Sequence, residues 1–520
     1  MSQKPSNYKW QVMAIVMIGM VMSLLDASIV NVSIPAIMAD FASNITDIEW
    51  VVTAYMLAFA VLMPLTAWLR DRIGHKFLFT ASLVVFTVGS LLCGLAWNIP
   101  SLIAARVIQA LGGGAMSPTG MAMIAEVFEP KERGKAMGIF GVGVIIGPAF
   151  GPTLGGFLTV AFGWRSIFLV NLPIGILAVI LAWEMLAHDK PAAHVKKRPF
   201  DLWGFVFLTI FLISFLLGIS RGEIEGWTSR YIMICAALSV FSFAGFIVTE
   251  SLVKDRIIDL SLFKSSTFSI SMVVSAVRSV ALFGGVFLLP LFLQQLKGLT
   301  AIQSGLMLLP GTLIMAVIMP IVGFASDKSS PRFLTMIGVF LLIYSMYLYR
   351  DINIYMSNWQ LVYPTIIRGA GMSLLMAPIM ALALNAVPRK KAGMASSMMA
   401  IIQQVGGATG IAILSTILDS RAKFHMNTIS ATMKANTPAF MGAMQGLQSR
   451  VHELGYTQLN SMMMAKSVLF KQIYIAGTTF AFQDAFLFAM FLIILSLIPV
   501  FFLPNRNINH HPEETTIIEI

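Results

Sequence analysis

The sequence predicts an all-α membrane protein of fourteen transmembrane helices, arranged as two six-helix halves with an extra helix pair between them. Three observations carry this. Of 520 residues, 57% are hydrophobic and 11% charged, with a mean hydropathy of +0.82, whereas an average soluble domain has about 25% charged residues. Apolar runs of about 20 residues recur between charged or turn-rich breaks. Two segments, LTAWLRDRIGHKFL at 65–78 and IVGFASDKSSPRFL at 321–334, look like distant copies. Each ends an apolar span on small residues, then places Asp71 or Asp327, then a basic turn into the next span.

The runs place spans near 12–36, 50–69, 77–98, 102–125, 135–160, 164–185, 202–220, 231–252, 268–293, 303–325, 334–349, 359–385, 393–418 and 484–503. The first run is long and leads into a polar turn without a small-residue cleavage site, so it is expected to remain as the first span. The formal charge of +11 raises the question of a nucleic-acid partner, and its distribution answers against one. Alternate short connections and both tails hold 21 of the 35 Lys and Arg residues, while the opposite short connections hold five. That positive-inside bias orients the chain with both termini in the cytoplasm. The halves are expected at 1–200 and 256–520, the inserted pair at 201–255, and one long extracytoplasmic connection at 419–483.

The first span holds Asp26 within LLDASIVNVSIP. A carboxylate near mid-span costs roughly 2.5–3.5 kcal/mol on insertion scales, so such residues mark ion or substrate paths. Helical geometry puts Ser23, Asp26 and Ser33 on one face and turns Asn31 more than a quarter-turn away. Arg106, in SLIAARVIQALGGG of the fourth span, is the counter-charge. At a rise of about 1.5 Å per residue, Asp26 lies about 13 Å below Pro35 and Arg106 about 8 Å below Ser101, which allows them to pair. Arg106 would stabilise the carboxylate and burial would oppose it, so a site alternately wet and sealed binds and releases protons. A purely structural ion pair is the competing reading.

After the second span, RDRIGHK sets Asp71 to face a helix N-terminus while Arg70, Arg72 and Lys76 bind neighbouring acids or lipid headgroups, forming a latch; a short basic loop also serves topology alone. The fifth span reads GVGVIIGPAFGPTLGG, with Gly143, Gly147, Gly151 and Gly155 four apart and Pro148 and Pro152 between them. Small residues admit a close neighbouring backbone and each proline removes a helical hydrogen bond, so this helix is expected to bend or slide; a static packing seam is the plainer alternative. The stretch HDKPAAHVKKRPFD, 188–201, reads as a linker out of the first half. Arg278, in the ninth span, has three open readings: facing an anionic substrate, pairing with a cavity carboxylate, or snorkelling to the cytoplasmic side. Arg368, in LVYPTIIRGAGMSLL, is the second-half analogue of Arg106 and is expected to be structural. Apolar residues at helical intervals in MGAMQGLQSRVHELGY make the 419–483 connection either an amphipathic docking element or an interfacial loop. Asn31, Tyr55, Gln109 and Arg278, with some of the 35 methionines, are the candidate substrate-cavity residues.

Cys93 and Cys235 fall in apolar spans and the seven histidines avoid the spans, so no disulfide framework, metal cluster or His-based intramembrane active site is expected. The chain has no G-x-x-x-x-G-K-[ST] phosphate loop and no H-E-x-x-H pair, which argues against a nucleotide-driven pump or a metal-dependent membrane enzyme. Taken together, LLDASIVNVSIP, AWLRDRIGHK, RVIQALGGG, GVGVIIGPAFGPTLGG and GWRSIFLVNLPIG resemble the motifs of the major facilitator superfamily, specifically its fourteen-span drug:proton antiporters. Ala67 and Ala110 stand where that group usually has glycine.

The resemblance covers essentially the whole chain and implies a major facilitator fold working by alternating access between its halves. It implies Asp26 as the proton-coupling site with Arg106 as partner, Asp71, Arg72 and Gly74 as the cytoplasmic gate, and Gly147 and Pro148 as part of a moving hinge. No cofactor is implied, since one charge crossing 100 mV is worth about 2.3 kcal/mol and a proton gradient supplies the energy. The long outer connection further resembles that of multidrug permeases of the bacterial inner membrane that work with a periplasmic adaptor and an outer-membrane channel. The expected function is proton-coupled efflux of amphipathic drugs or other toxic compounds. The same motifs serve a dedicated exporter of one metabolite, fatty acid or siderophore. A receptor or channel suits duplicated halves and hinge glycines less well than alternating access does.

Overall fold

The structure, a computed structural model, describes residues 7–43, 45–187, 200–253, 256–388, 391–432, 438–453 and 457–505. Among the described residues there is no strand. Lipid explains this, because a helix satisfies its backbone polar groups within one segment and an open sheet edge does not. The first part of the chain forms α1 (Tyr8–Phe41), α2 (Ile45–Leu62), α3 (Leu65–Ile73), α4 (His75–Gly94), α5 (Ile99–Val127), α6 (Arg133–Phe162), α7 (Ser166–Leu169) and α8 (Asn171–Met185). The inserted pair is α9 (Leu202–Glu225) and α10 (Arg230–Leu252). The rest forms α11 (Ser266–Gln295), α12 (Ala301–Lys328), α13 (Pro331–Leu348), α14 (Asn358–Asn385), α15 (Ala392–Thr432), α16 (Pro438–Glu453), α17 (Gln458–Leu495) and α18 (Leu497–Phe501).

Local sequence sets the boundaries. Asn98 caps α5 by accepting from Ser101 N at 2.8 Å, and Thr300 and Ser357 open α12 and α14 through the same reciprocal box with Gln303 and Gln360. Gly74 joins α3 to α4 at φ +82°, a left-handed conformation that only glycine adopts cheaply. The second expected span, 50–69, is not straight: α2 and α3 meet at a 55° bend, with Pro64 at the joint supplying no N–H. Among the described residues, eleven helices are long and apolar enough to cross a membrane, or twelve if this bent pair is one span. Helices α6 and α11 lie where two further spans are expected, and part of their side chains falls outside the described set, so the structure is compatible with fourteen.

Packing repeats between the two parts of the chain. Helix α1 packs on α6, α5 and α8, and α11 packs on α15, α14 and α17; α4 lies on α5 as α13 lies on α14. The two bundles meet chiefly along α6 and α12, where Gly138 faces the Met319 carbonyl and Gly323 the Gly134 carbonyl. Hydrogen bonds between the bundles gather at the end that carries the basic loops. There Arg133 Nη1 donates to Asn385 Oδ1 at 2.8 Å and to Leu384 O at 3.3 Å, and the hydroxyls of Thr66 and Ser397 lie 2.8 Å apart. Helix α9 touches both bundles: Arg221 lies 3.5 Å from Glu49 of α2, and the Ser415 hydroxyl of α15 donates to Glu223.

The 419–483 stretch, expected as one long connection, is helical over most of its described length. At about 1.5 Å per residue, the 41 residues of α15 and 38 of α17 reach about 60 Å, twice the roughly 30 Å hydrocarbon core. The cause is lateral pairing beyond the apolar runs. Asp484 accepts from Arg421 Nε at 2.5 Å and bonds His425 Nε2 at 2.7 Å, Gly477 lies against Met426, and α16 packs on α17. Residues 188–199 of the expected linker lie outside the described residues.

Candidate functional site

Asp26 is 0% exposed and Arg106 1%, and the Arg106 Nη1 to Asp26 Oδ2 distance is 2.5 Å. The similar depths read from the sequence are thus joined across α1 and α5. Gln109, one turn beyond Arg106, donates from Nε2 to Asp26 Oδ1 at 2.8 Å and accepts from Arg106 Nη1 at 2.7 Å. Asn171, the first residue of α8, donates from Nδ2 to Asp26 Oδ1 at 2.9 Å. Ser90 of α4 accepts from Gln109 at 2.6 Å and from Asn171 at 3.3 Å. Tyr55 of α2 lies under the guanidinium, its ring centroid 3.8 Å from Arg106 Cζ. Five helices of one bundle therefore converge on a single carboxylate.

This arrangement has two chemical consequences. The carboxylate takes three donors and meets no acceptor, so its oxygens are held by donation from Arg106, Gln109 and Asn171. Burying the charges costs several kcal/mol per ion, which the pairing and hydrogen bonds offset only while every member is in place. Loss of one partner leaves an uncompensated charge worth about 3–5 kcal/mol.

The other residues singled out in the sequence are placed as follows. Ser23, Asp26 and Ser33 are buried on one face of α1, and Asn31 is exposed on another. Tyr55 and Gln109 both belong to the Asp26 cluster. Gly143, Gly147, Gly151 and Gly155 all face α1: a methyl at Gly147 would sit 2.6 Å from the Leu24–Leu25 backbone, and one at Gly155 2.6 Å from Ile29. Ser28 exploits this approach by donating to Gly147 O at 3.0 Å. Helix α6 runs unbroken through Pro148 and Pro152; Pro152 is half-buried, and the side chain of Pro148 lies outside the described set.

At the basic-loop end, Asp71 and Arg72 are exposed, and Arg72 lies 5.1 Å over the Trp68 ring. Arg70 is the buried member: it donates to Asp71 at 2.5 and 2.9 Å and its guanidinium fills the space against Gly393, at the start of α15. Lys391, just before α15, reaches Asp259 at 2.6 Å. Burial alone would raise the Asp259 carboxyl, but hydrogen bonds from Lys391 and Ser261 and the Lys391 charge outweigh it and hold the group at about 2. Arg368 is buried in α14. Arg278 is 3% exposed within the second bundle, away from the Asp26 cluster.

Sequence reasoning missed Asn171 and Ser90. Each is a neutral polar residue in an otherwise apolar stretch: Asn171 opens α8 within the NLPIG of GWRSIFLVNLPIG, and Ser90 lies in α4 with no motif around it. Among the described residues, no three His, Cys, Asp or Glu side chains are grouped to hold a metal.

A model described as Major Facilitator Superfamily matches residues 16–411. The chain is similar to a multidrug resistance protein B homolog of Mycobacterium tuberculosis, 33% identical over 94% of this chain and 89% of the relative. It is 34% identical to the riboflavin transporter RibZ of Clostridioides difficile, over 84% of this chain and 94% of that one. The colistin resistance protein EmrB of Acinetobacter baumannii is 26% identical over 96% and 97% of the two chains. Among solved structures, a double-tryptophan mutant of XylE superposes with a TM-score of 0.59 at 14% identity, over 95% of this chain and 96% of that one, a likeness of fold alone.

Proposed function

The chain belongs to the Major Facilitator Superfamily and is a multi-pass membrane transporter, and from that premise we propose that it exports amphipathic drugs or other toxic compounds in exchange for protons. The observation that carries the reading is the sealed Asp26, held by donors from Arg106, Gln109 and Asn171. A proton arriving at Asp26 occupies an acceptor position and displaces a donor, which loosens α1 from α5 or α8. Each hydrogen bond to a charged group is worth about 1.5–3 kcal/mol, and a proton crossing 100 mV supplies about 2.3 kcal/mol. One proton therefore offsets about one such bond, enough to change which arrangement of the bundle is favoured.

In this reading the basic-loop end is cytoplasmic and closed by the Arg133–Asn385 and Thr66–Ser397 contacts, and cargo enters from the cytoplasm when these part. The positive-inside bias supports a bacterial cytoplasmic membrane with both termini inside. The α15–α16–α17 extension, about twice the hydrocarbon thickness, supports a docking role toward a periplasmic adaptor and, through it, an outer-membrane channel. Similarity to a protein named as a riboflavin transporter favours a second reading, dedicated export of one metabolite by the same mechanism.

The test is transport in proteoliposomes under an imposed pH gradient, with ethidium and dansyl-undecanoic acid as probes. Gradient-driven accumulation is expected for the wild type and its loss in Asp26→Asn. Gradient-driven accumulation at the wild-type rate in Asp26→Asn would remove the coupling role.

A further inference from the structure

Arg278 lies about 18 Å into α11 at a rise of about 1.5 Å per residue, near the middle of a hydrocarbon core of roughly 30 Å. At that depth and 3% exposure it does not snorkel. Its Nε and Nη1 have no hydrogen-bond acceptor among the described residues. The described acids of the second bundle that carry ion pairs spend them elsewhere: Asp259 on Lys391, Asp351 on Arg350, Asp419 on Lys423, and Asp484 on Arg421 and His425. Asp327 is next to last in α12, at the basic-loop end, and residues 281–286, ALFGGV, carry no side-chain acceptor. Asp26 is taken by Arg106.

The unmet groups around Arg278 share one character. Ser275 and Ser279, within a turn of it, have hydroxyls without a partner, as does Nε2 of Gln403. Gly406 faces Ala276 and Ser279, and Gly410 faces Val280, so Gln403, one turn before Gly406, is level with Ser275. Each of these groups can donate and none has found an acceptor, and the guanidinium adds a positive charge, so an arriving acceptor would meet several unmet donors at once.

The register against the first bundle is a separate observation. Gly147 and Gly151 of α6 face Leu24–Leu25 and Ser28–Ile29 of α1, as Gly406 and Gly410 of α15 face Ala276, Ser279 and Val280 of α11. Superposing these seams puts Ser275 and Arg278 on the positions of Ser23 and Asp26. Each bundle thus carries one buried charge at the same place in its first helix, and the signs are opposite. The acid is fully satisfied by its own bundle and the base is not.

We propose that Arg278, with Ser275, Ser279 and Gln403, is the receiving site for the carboxylate of an anionic amphipath, which supplies the missing acceptor as the cargo binds. The inference rests on the export reading and names one class of cargo, the anionic amphipaths, that the exporter takes more tightly than neutral analogues. A guanidinium holds a carboxylate through two parallel N–H bonds, and burial of an apolar tail favours bringing that carboxylate into the interior of a span.

Binding of dansyl-undecanoic acid and of its neutral methyl ester to the protein in phosphatidylcholine nanodiscs, each corrected by empty nanodiscs, tests this. The wild type should prefer the acid at least tenfold, Arg278→Gln should erase the preference through loss of acid affinity alone, and Arg278→Lys should keep part of it. Equal affinity of the wild type for acid and ester overturns the proposal without needing any variant, as does an undiminished acid preference in Arg278→Gln. Gradient-driven transport by the wild type, measured in parallel, separates the two claims: lost acid preference with intact coupling sinks only the anion site, and absent coupling sinks the export reading.

Discussion

At the residue scale, the Asp26 cluster behaves as one unit in which no member is replaceable alone. Arg106→Gln leaves a carboxylate without its counter-charge at 0% exposure, an expected loss of about 3–5 kcal/mol in stability. The double variant Asp26→Asn with Arg106→Gln removes both charges and should melt above Arg106→Gln alone; thermal unfolding in detergent checks the order. Asn171→Ala deletes a hydrogen bond to a charged group, and about 1.5–3 kcal/mol is expected to go with it. Asp26 and Arg106 were legible in the sequence because a charge in an apolar run is costly and so conspicuous. Asn171 and Ser90 were not, because a neutral polar side chain in a span costs little enough to be common, and only the fold shows that both point at the same oxygen or its partner.

At the element scale, the α1–α6 seam and the loop ends lead to different expectations. At Gly147 a methyl would lie 2.6 Å from backbone atoms of α1, so Gly147→Ala must push the helices apart, an overpacking cost of about 1–3 kcal/mol. Pro152→Ala instead restores an N–H to the carbonyl one turn back and stiffens α6. If α6 bends during transport, Pro152→Ala should slow transport without lowering the melting temperature, as turnover and melting measured on one preparation will tell. The Lys391–Asp259 pair ties the segment before α11 to the start of α15. With the carboxyl at about 2 when folded and near 3.9 when unfolded, its contribution is present above about pH 4 and lost as pH falls toward 2. Solvent screening leaves it on the order of 1 kcal/mol, so Lys391→Met should flatten the stability curve between pH 4 and 2 by about that amount. The bend between α2 and α3 was not read in the sequence, where 50–69 was expected as one span, although Pro64 stands at the joint. The helical reach of α15 and α17 was not read, because the expected spans stop short at Asp419 and Asp484, whereas both helices run on past these charges.

At the scale of the whole molecule, two bundles with the same packing order carry different chemistry at matched positions, and most of their hydrogen bonds to each other sit at one end. The fold was legible because hydrocarbon leaves helices as the spanning element and charge sets their direction. The contrast between the two buried charges was not, since it depends on which of them finds partners, and only packing decides that. Replacing residues 434–456 with a short glycine-serine linker removes α16 and spares the Asp484 contacts that pair α15 with α17. If that helix docks an adaptor, drug resistance in cells should fall while transport in vesicles stays, and equal loss in both would count against docking.

The most direct test of the account is proton release from the purified protein on adding cargo, followed with a pH indicator in weakly buffered nanodiscs. The wild type should release protons on addition of dansyl-undecanoic acid methyl ester or ethidium, and Asp26→Asn should release none. Release of the same size from Asp26→Asn would contradict the exchange of proton for cargo at this carboxylate.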